Sequence, residues 1–118
     1  MKMNNDVSLR IKDRTQWENI LFLQEFVNSN LLYVDYRDKF PDEFNYEPTK
    51  TYEFDITYFK RINGKFSESG GAQFIIDDNK IILRPFYPNQ SFSISQREKI
   101  SNIFLEYIIE KNIDIFND

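Results

Sequence analysis

Between residues 52 and 62 the chain alternates in side-chain character. Tyr52, Phe54, Ile56 and Tyr58 take turns with Glu53, Asp55, Thr57 and Phe59, and Asn63-Gly64 follows. A period of two is the signature of a strand with one face buried. Asn and Gly both tolerate the positive φ of a two-residue hairpin turn whose twist matches its strands. The middle of the chain is therefore expected to be an antiparallel hairpin, and the rest must cover its apolar face.

The remaining segments supply that cover. Lys65 to Ser69 is expected to return as a strand, interrupted at Gly70-Gly71 by a bulge or loop. Ala72 to Ile76 and Ile81 to Phe86 read as a second hairpin about Asp77-Asp78-Asn79-Lys80, with Pro85 and Pro88 marking an edge or an exit. Upstream, Val7, Leu9 and Ile11 alternate with Ser8, Arg10 and Lys12. Thr15-Gln16-Trp17-Glu18 has the pattern of a capping box. The helix behind it carries Trp17, Ile20, Leu21, Leu23, Phe26 and Val27 on one stripe and ends at Asn28-Ser29-Asn30. Phe22 falls outside that stripe, so this helix has an unusually wide buried face or touches something else. Leu31 to Tyr36 reads as a short strand. Ser95-Gln96-Arg97-Glu98 is a second capping-box pattern, followed by Ile100, Ile103, Phe104, Tyr107 and Ile108 at helical spacing. With 118 residues, one core is expected. The expectation is a single α+β domain over 1–118: an antiparallel sheet of four to five strands, two amphipathic helices packed on one face, order β-α-β-β-β-β-α.

Composition removes several functions. The chain has no His and no Cys, which excludes a thiolate nucleophile, a disulfide and a zinc–cysteine site, and removes the commonest general base. A net charge of −4 argues against nucleic acid, which demands a basic surface. The longest apolar run, Ile20-Leu21-Phe22-Leu23, is far short of the ~20 residues of a membrane span. No apolar stretch follows Lys2, so the expectation is a cytoplasmic protein with no membrane partner. Abundant Ile and Phe beside a single alanine, Ala72, point to an A+T-rich, bacterial coding sequence.

Motif readings are outweighed by plainer ones. Asp78-Asn79-Lys80, with Pro41-Asp42, fits a loose metal-dependent nuclease pattern, but a hairpin turn calls for the same residues. Asp35, Asp38, Asp42 and Glu43 lack the glycine of a calcium loop. Carboxylate pairs can run glycosidase chemistry, but no two acids are paired by the sequence. No metal, cofactor or catalytic residue is assigned, and the chain is read as a non-enzyme.

Charge is unevenly distributed. Residues 35–55 hold seven acids against three bases, an excess equal to the whole formal charge. The same stretch carries Pro41, Pro48 and several rings. Carboxylates steer a cationic partner, and aromatic side chains anchor it. The partner-binding expectation is therefore Tyr33, Asp35, Tyr36, Asp38, Asp42, Glu43, Tyr46 and Glu47. The plainer alternative is that Phe40 and Phe44 pin this loop onto the sheet while the acids keep it solvated. Phe59, with Ile75, Ile82 and Arg61, is expected to give the sheet face away from the helices a partly apolar character, as a partner surface or a homodimer interface. The functional expectation is a stoichiometric inhibitor, a bacterial immunity protein that occludes a basic, nuclease-type toxin. A phage-encoded inhibitor of a host defence protein and a small-molecule-binding module are the alternatives.

Overall fold

The structure is a computed structural model, and residues 7–11, 14–35, 38–84, 93–113 and 115–116 are described. In chain order the elements are β1 (Val7–Ile11), α1 (Gln16–Ser29), β2 (Tyr33–Asp35), β3 (Tyr52–Ile62), β4 (Lys65–Asp77), β5 (Lys80–Arg84), α2 (Ile94–Glu110) and β6 (Ile115–Phe116). The sheet runs β2-β3-β4-β5-β1-β6, every pairing antiparallel. This is the expected α+β order, with two tail residues added as β6. Lys12, Tyr36, Pro85, Phe86 and Pro88 lie outside the described residues.

The turn chemistry is local. Asn63 and Gly64 take φ of +50° and +78°, and Ile62 pairs with Lys65 across them. Asp78 takes φ +53° in the second hairpin turn. Thr15 caps α1: its hydroxyl accepts from the Glu18 N–H at 3.2 Å, and its own N–H donates to Glu18 Oε1 at 3.0 Å. Both helices end in one motif. After α1, the N–H of Leu32 reaches the Val27 carbonyl at 2.9 Å around Leu31 at φ +54°; after α2, Ile113 reaches Ile108 at 3.1 Å around Asn112 at φ +55°. A residue in the left-handed region closes each helix, satisfying orphan carbonyls.

The two helices cover one sheet face. Tyr52, Phe54 and Ile56 of β3, Phe74 and Ile76 of β4, and Ile81 and Leu83 of β5 are buried with Ile20, Leu23 and Phe26 of α1 and Ile100, Phe104 and Ile108 of α2. Phe104 joins the layers, its ring centroid 4.8 Å from Phe26 and 5.1 Å from Phe74. Burying each such ring contributes roughly 2–3 kcal/mol. Phe22, off the main stripe, packs between the helices against Phe104 and Tyr107.

Two local expectations are corrected and a third is met by one of its alternatives. Ser93, not Ser95, caps α2, its hydroxyl accepting from the Gln96 N–H and its N–H donating to Gln96 Oε1. Ser93-Ile94-Ser95-Gln96 satisfies the same pattern two residues earlier, and the earlier start gives more residues helical backbone bonds. Next, of the bulge or loop expected at Gly70-Gly71 the structure has the bulge: β4 runs through both glycines, and a register shift opposite Tyr58/Phe59 leaves Ser69 as the extra residue. The glycine at 70 serves close approach: a Cβ there would collide with the Tyr58 ring and the Gln96 carbonyl. Finally, Ile75 is buried and Ile82 half-buried. Among the residues of β3 to β5 whose burial is described, the most exposed part of the outer sheet face is the end bearing Phe59 and Arg61.

Candidate protein-binding site

The acidic loop between β2 and β3 is fixed from beneath by rings and hydrogen bonds. Phe40 stacks on Phe54 with centroids 4.4 Å apart, Tyr46 stacks on Tyr52 at 6.1 Å, and Trp17 meets Tyr46 at 4.9 Å. The Tyr46 hydroxyl donates to Gln16 Oε1 at 2.9 Å, while Gln16 Nε2 donates to the carbonyls of Lys50 at 2.8 Å and Ile76 at 3.1 Å. The Glu47 N–H donates to the Tyr52 hydroxyl at 2.9 Å. One buried glutamine thus ties the first turn of α1 to the loop and to β4.

Asp38 opens the loop by acting as a strand surrogate. Its N–H donates to the Glu53 carbonyl at 3.0 Å, and its Oδ2 accepts from the Glu53 N–H at 2.8 Å. Its Oδ1 accepts from Lys50 Nζ at 2.5 Å, and that ammonium also lies 4.6 Å from the Tyr52 ring centroid. The hydrogen bond to Asp38 holds the Lys50 ammonium above its ordinary range, against the opposing effect of burial. Burial likewise pushes the Tyr46 phenol up, helped by Tyr52 and Asp78.

The tip faces outward. Asp42 Oδ1 accepts from the N–H groups of Phe44 at 3.0 Å and Asn45 at 2.9 Å, an Asx turn that sets the backbone. Asp42, Glu43 and Glu47 are exposed, and Phe44 between them is 93% exposed. A phenylalanine this open on a hydrogen-bonded turn does nothing for the monomer's core.

The eight expected residues therefore separate. Asp42, Glu43 and Glu47 are exposed on the loop. Asp38 and Tyr46 point into the scaffold beneath it. Tyr33 is half-exposed but packs on Phe59 on the outer sheet face. Asp35 ends β2, in register with Asp55. Tyr36 lies outside the described residues. Of the two rings expected to pin the loop, Phe40 does so and Phe44 does not. Phe44 belongs with the exposed acids although the sequence expectation omits it, and its place between two consecutive acids and Asn45 is the available signal.

Among the described residues no group of three or more acids could hold a metal ion, and no helix is long and apolar enough to cross a membrane. Comparison with protein families, with curated proteins and with solved structures finds no match to this chain.

Proposed function

We propose that this chain is a stoichiometric protein inhibitor, a bacterial immunity protein that binds a basic, nuclease-type toxin in the cytoplasm through the loop tip at Asp42, Glu43, Phe44 and Glu47. The observation that carries this reading is Phe44: an exposed ring on a hydrogen-bonded turn, with the exposed acids Asp42, Glu43 and Glu47 near it in the chain. Such a tip has the two parts of a binding hot spot, an apolar anchor and charges of one sign near it. Because the loop is already held by Gln16, Tyr46 and Asp38, little order is lost on docking. The mechanism is occlusion: Phe44 enters an apolar slot of the toxin while carboxylates occupy positions that would attract substrate phosphates.

The test is co-expression with the product of any toxin-like gene found beside the one encoding this chain, read by growth rescue and by the isolated complex. Glu43→Lys with Glu47→Lys is the cleaner charge reversal, because Asp42 also holds the turn. Both that pair and Phe44→Ala should weaken the complex at least ~10-fold with the thermal midpoint unchanged, and association should slow as salt rises toward physiological strength. A complex indifferent to all of these variants removes the tip from the account.

A further inference from the structure

A second exposed surface lies on the outer face of the sheet, at the end where β3 and β4 run past their neighbours. Tyr33 and Phe59 meet edge to face, centroids 4.9 Å apart and rings inclined 78°. With Phe66 they line an apolar groove of about 300 Å³. Phe66 is 69% exposed and Tyr33 49%. Arg61, paired with Phe66 across the hairpin, holds its guanidinium 5.4 Å from that ring's centroid. From Tyr58 to Ser69 the hairpin carries Lys60, Arg61 and Lys65 against a single acid, Glu68, the cross-strand partner of Phe59. This end is therefore opposite in sign to the loop tip.

Two further features mark the same surface. The pairing of β2 with β3 stops at Tyr33 and Thr57, so β3 from Tyr58 to Ile62 has β4 on one side and, among the described residues, no strand on the other. Leu31 adjoins it through a smaller groove that shares Tyr33 as a wall. That leucine is 81% exposed and held at φ +54°, where glycine would be less strained.

We propose that this surface binds an extended acidic peptide segment of another protein, laid along the free edge of β3 with one apolar side chain in the groove between Tyr33, Phe59 and Phe66. Charge selects the occupant: Arg61 on the groove's face, with Lys60 and Lys65 on the opposite face, complements carboxylates of an added strand, whose side chains alternate between the two faces. Open strand edges and a pocket for alternate side chains are the two halves of β-augmentation. The steep angle between Tyr33 and Phe59 makes a notch for one side chain and not the flat platform on which bases stack. A second copy paired edge to edge along β3 would bring Lys60 and Arg61 against their own images.

The surface shares no residue with the tip at Asp42 to Glu47, so either proposal fails without the other. The probe is a short acetylated peptide alternating glutamate with valine and phenylalanine, titrated into the whole isotope-labelled chain and followed by amide shifts. Saturable shifts centred on Tyr33, Phe59 and Phe66, at least ~10-fold weaker affinity for Arg61→Glu and for Phe66→Ser, and no binding of the lysine-for-glutamate peptide are the expected results. Phe66 and Arg61 are exposed, so unchanged thermal midpoints establish that both variants fold. Absence of saturation, equal binding of the lysine peptide, tighter binding of oligothymidylate, or a concentration-dependent dimer abolished by Phe66→Ser would each overturn the proposal.

Discussion

The Tyr46 hydroxyl donates to Gln16 Oε1 at 2.9 Å, joining residues 30 positions apart. Through that amide, the order of the acidic loop depends on the first turn of α1. Gln16→Leu removes this bond and the two that Gln16 Nε2 donates to Lys50 and Ile76. Leaving buried carbonyls unpaired costs about 1–3 kcal/mol. The expected outcome is a lower thermal midpoint with faster amide exchange at Glu47 and Lys50.

Leu31 closes α1 in the left-handed region while largely exposed, so little packing is lost on shortening it. Leu31→Gly should relieve more backbone strain than it adds to unfolded-chain freedom, raising stability by roughly 0.5–1 kcal/mol. Denaturant midpoints of the two chains measure the sign. The equivalent Asn112→Gly change after α2 should have a smaller effect, because asparagine tolerates the same φ.

Gly70 lies where β4 passes under the start of α2. A methyl group there meets the Tyr58 ring and the Gln96 carbonyl. The ring can yield but the backbone cannot do so cheaply. Gly70→Ala should cost about 1–3 kcal/mol, the range of overpacking. Gly64→Ala, at φ +78° with open space around it, tests backbone strain alone.

Alkaline pH should destabilise the fold. Burial raises the phenols of Tyr46, Tyr58 and Tyr107 above their ordinary 10.0, and Asp38 raises the Lys50 ammonium above 10.5. The folded chain holds these protons more firmly than the unfolded chain does. Stability that is complete below about pH 10 is therefore lost as pH climbs through the folded-state values. Glu18 behaves in the opposite sense: hydrogen bonds from the Thr15 backbone and hydroxyl lower its pKa. Its contribution, present above pH 4.5, is lost on acidification. Thermal midpoints from neutral to strongly alkaline buffer, with Lys50→Met for comparison, check the first of these effects.

Local chemistry was legible where it repeats or uses a fixed spacing. Alternation placed β3 from Tyr52 to Ile62, Asn63-Gly64 placed its turn, and Thr15 with Glu18 placed the start of α1. Phe22 announced a second contact by breaking the stripe. The second cap was ambiguous because Ser93 and Ser95 offer overlapping boxes. Gly70 read as an interruption because only the crossing of α2 explains its missing side chain. The loop was harder, since a segment without a period does not say which of its rings turn inward. Phe40 and Phe44 differ only in what lies beneath them. Asp38 and Lys50 meet across 12 positions, a relationship set by the fold and not by spacing.

The outward turn at Phe44 has a further consequence for chain continuity. On its leading side the backbone is clasped by Asp38 and Phe40 against β3; on its trailing side by Tyr46 and Lys50 against α1. Between those clasps no core contact crosses Glu43 to Asn45 among the described residues. The peptide there is a place to cut with a chymotrypsin-like protease, to splice in a reporter, or to set new termini by circular permutation, with both halves still gripped by the same body.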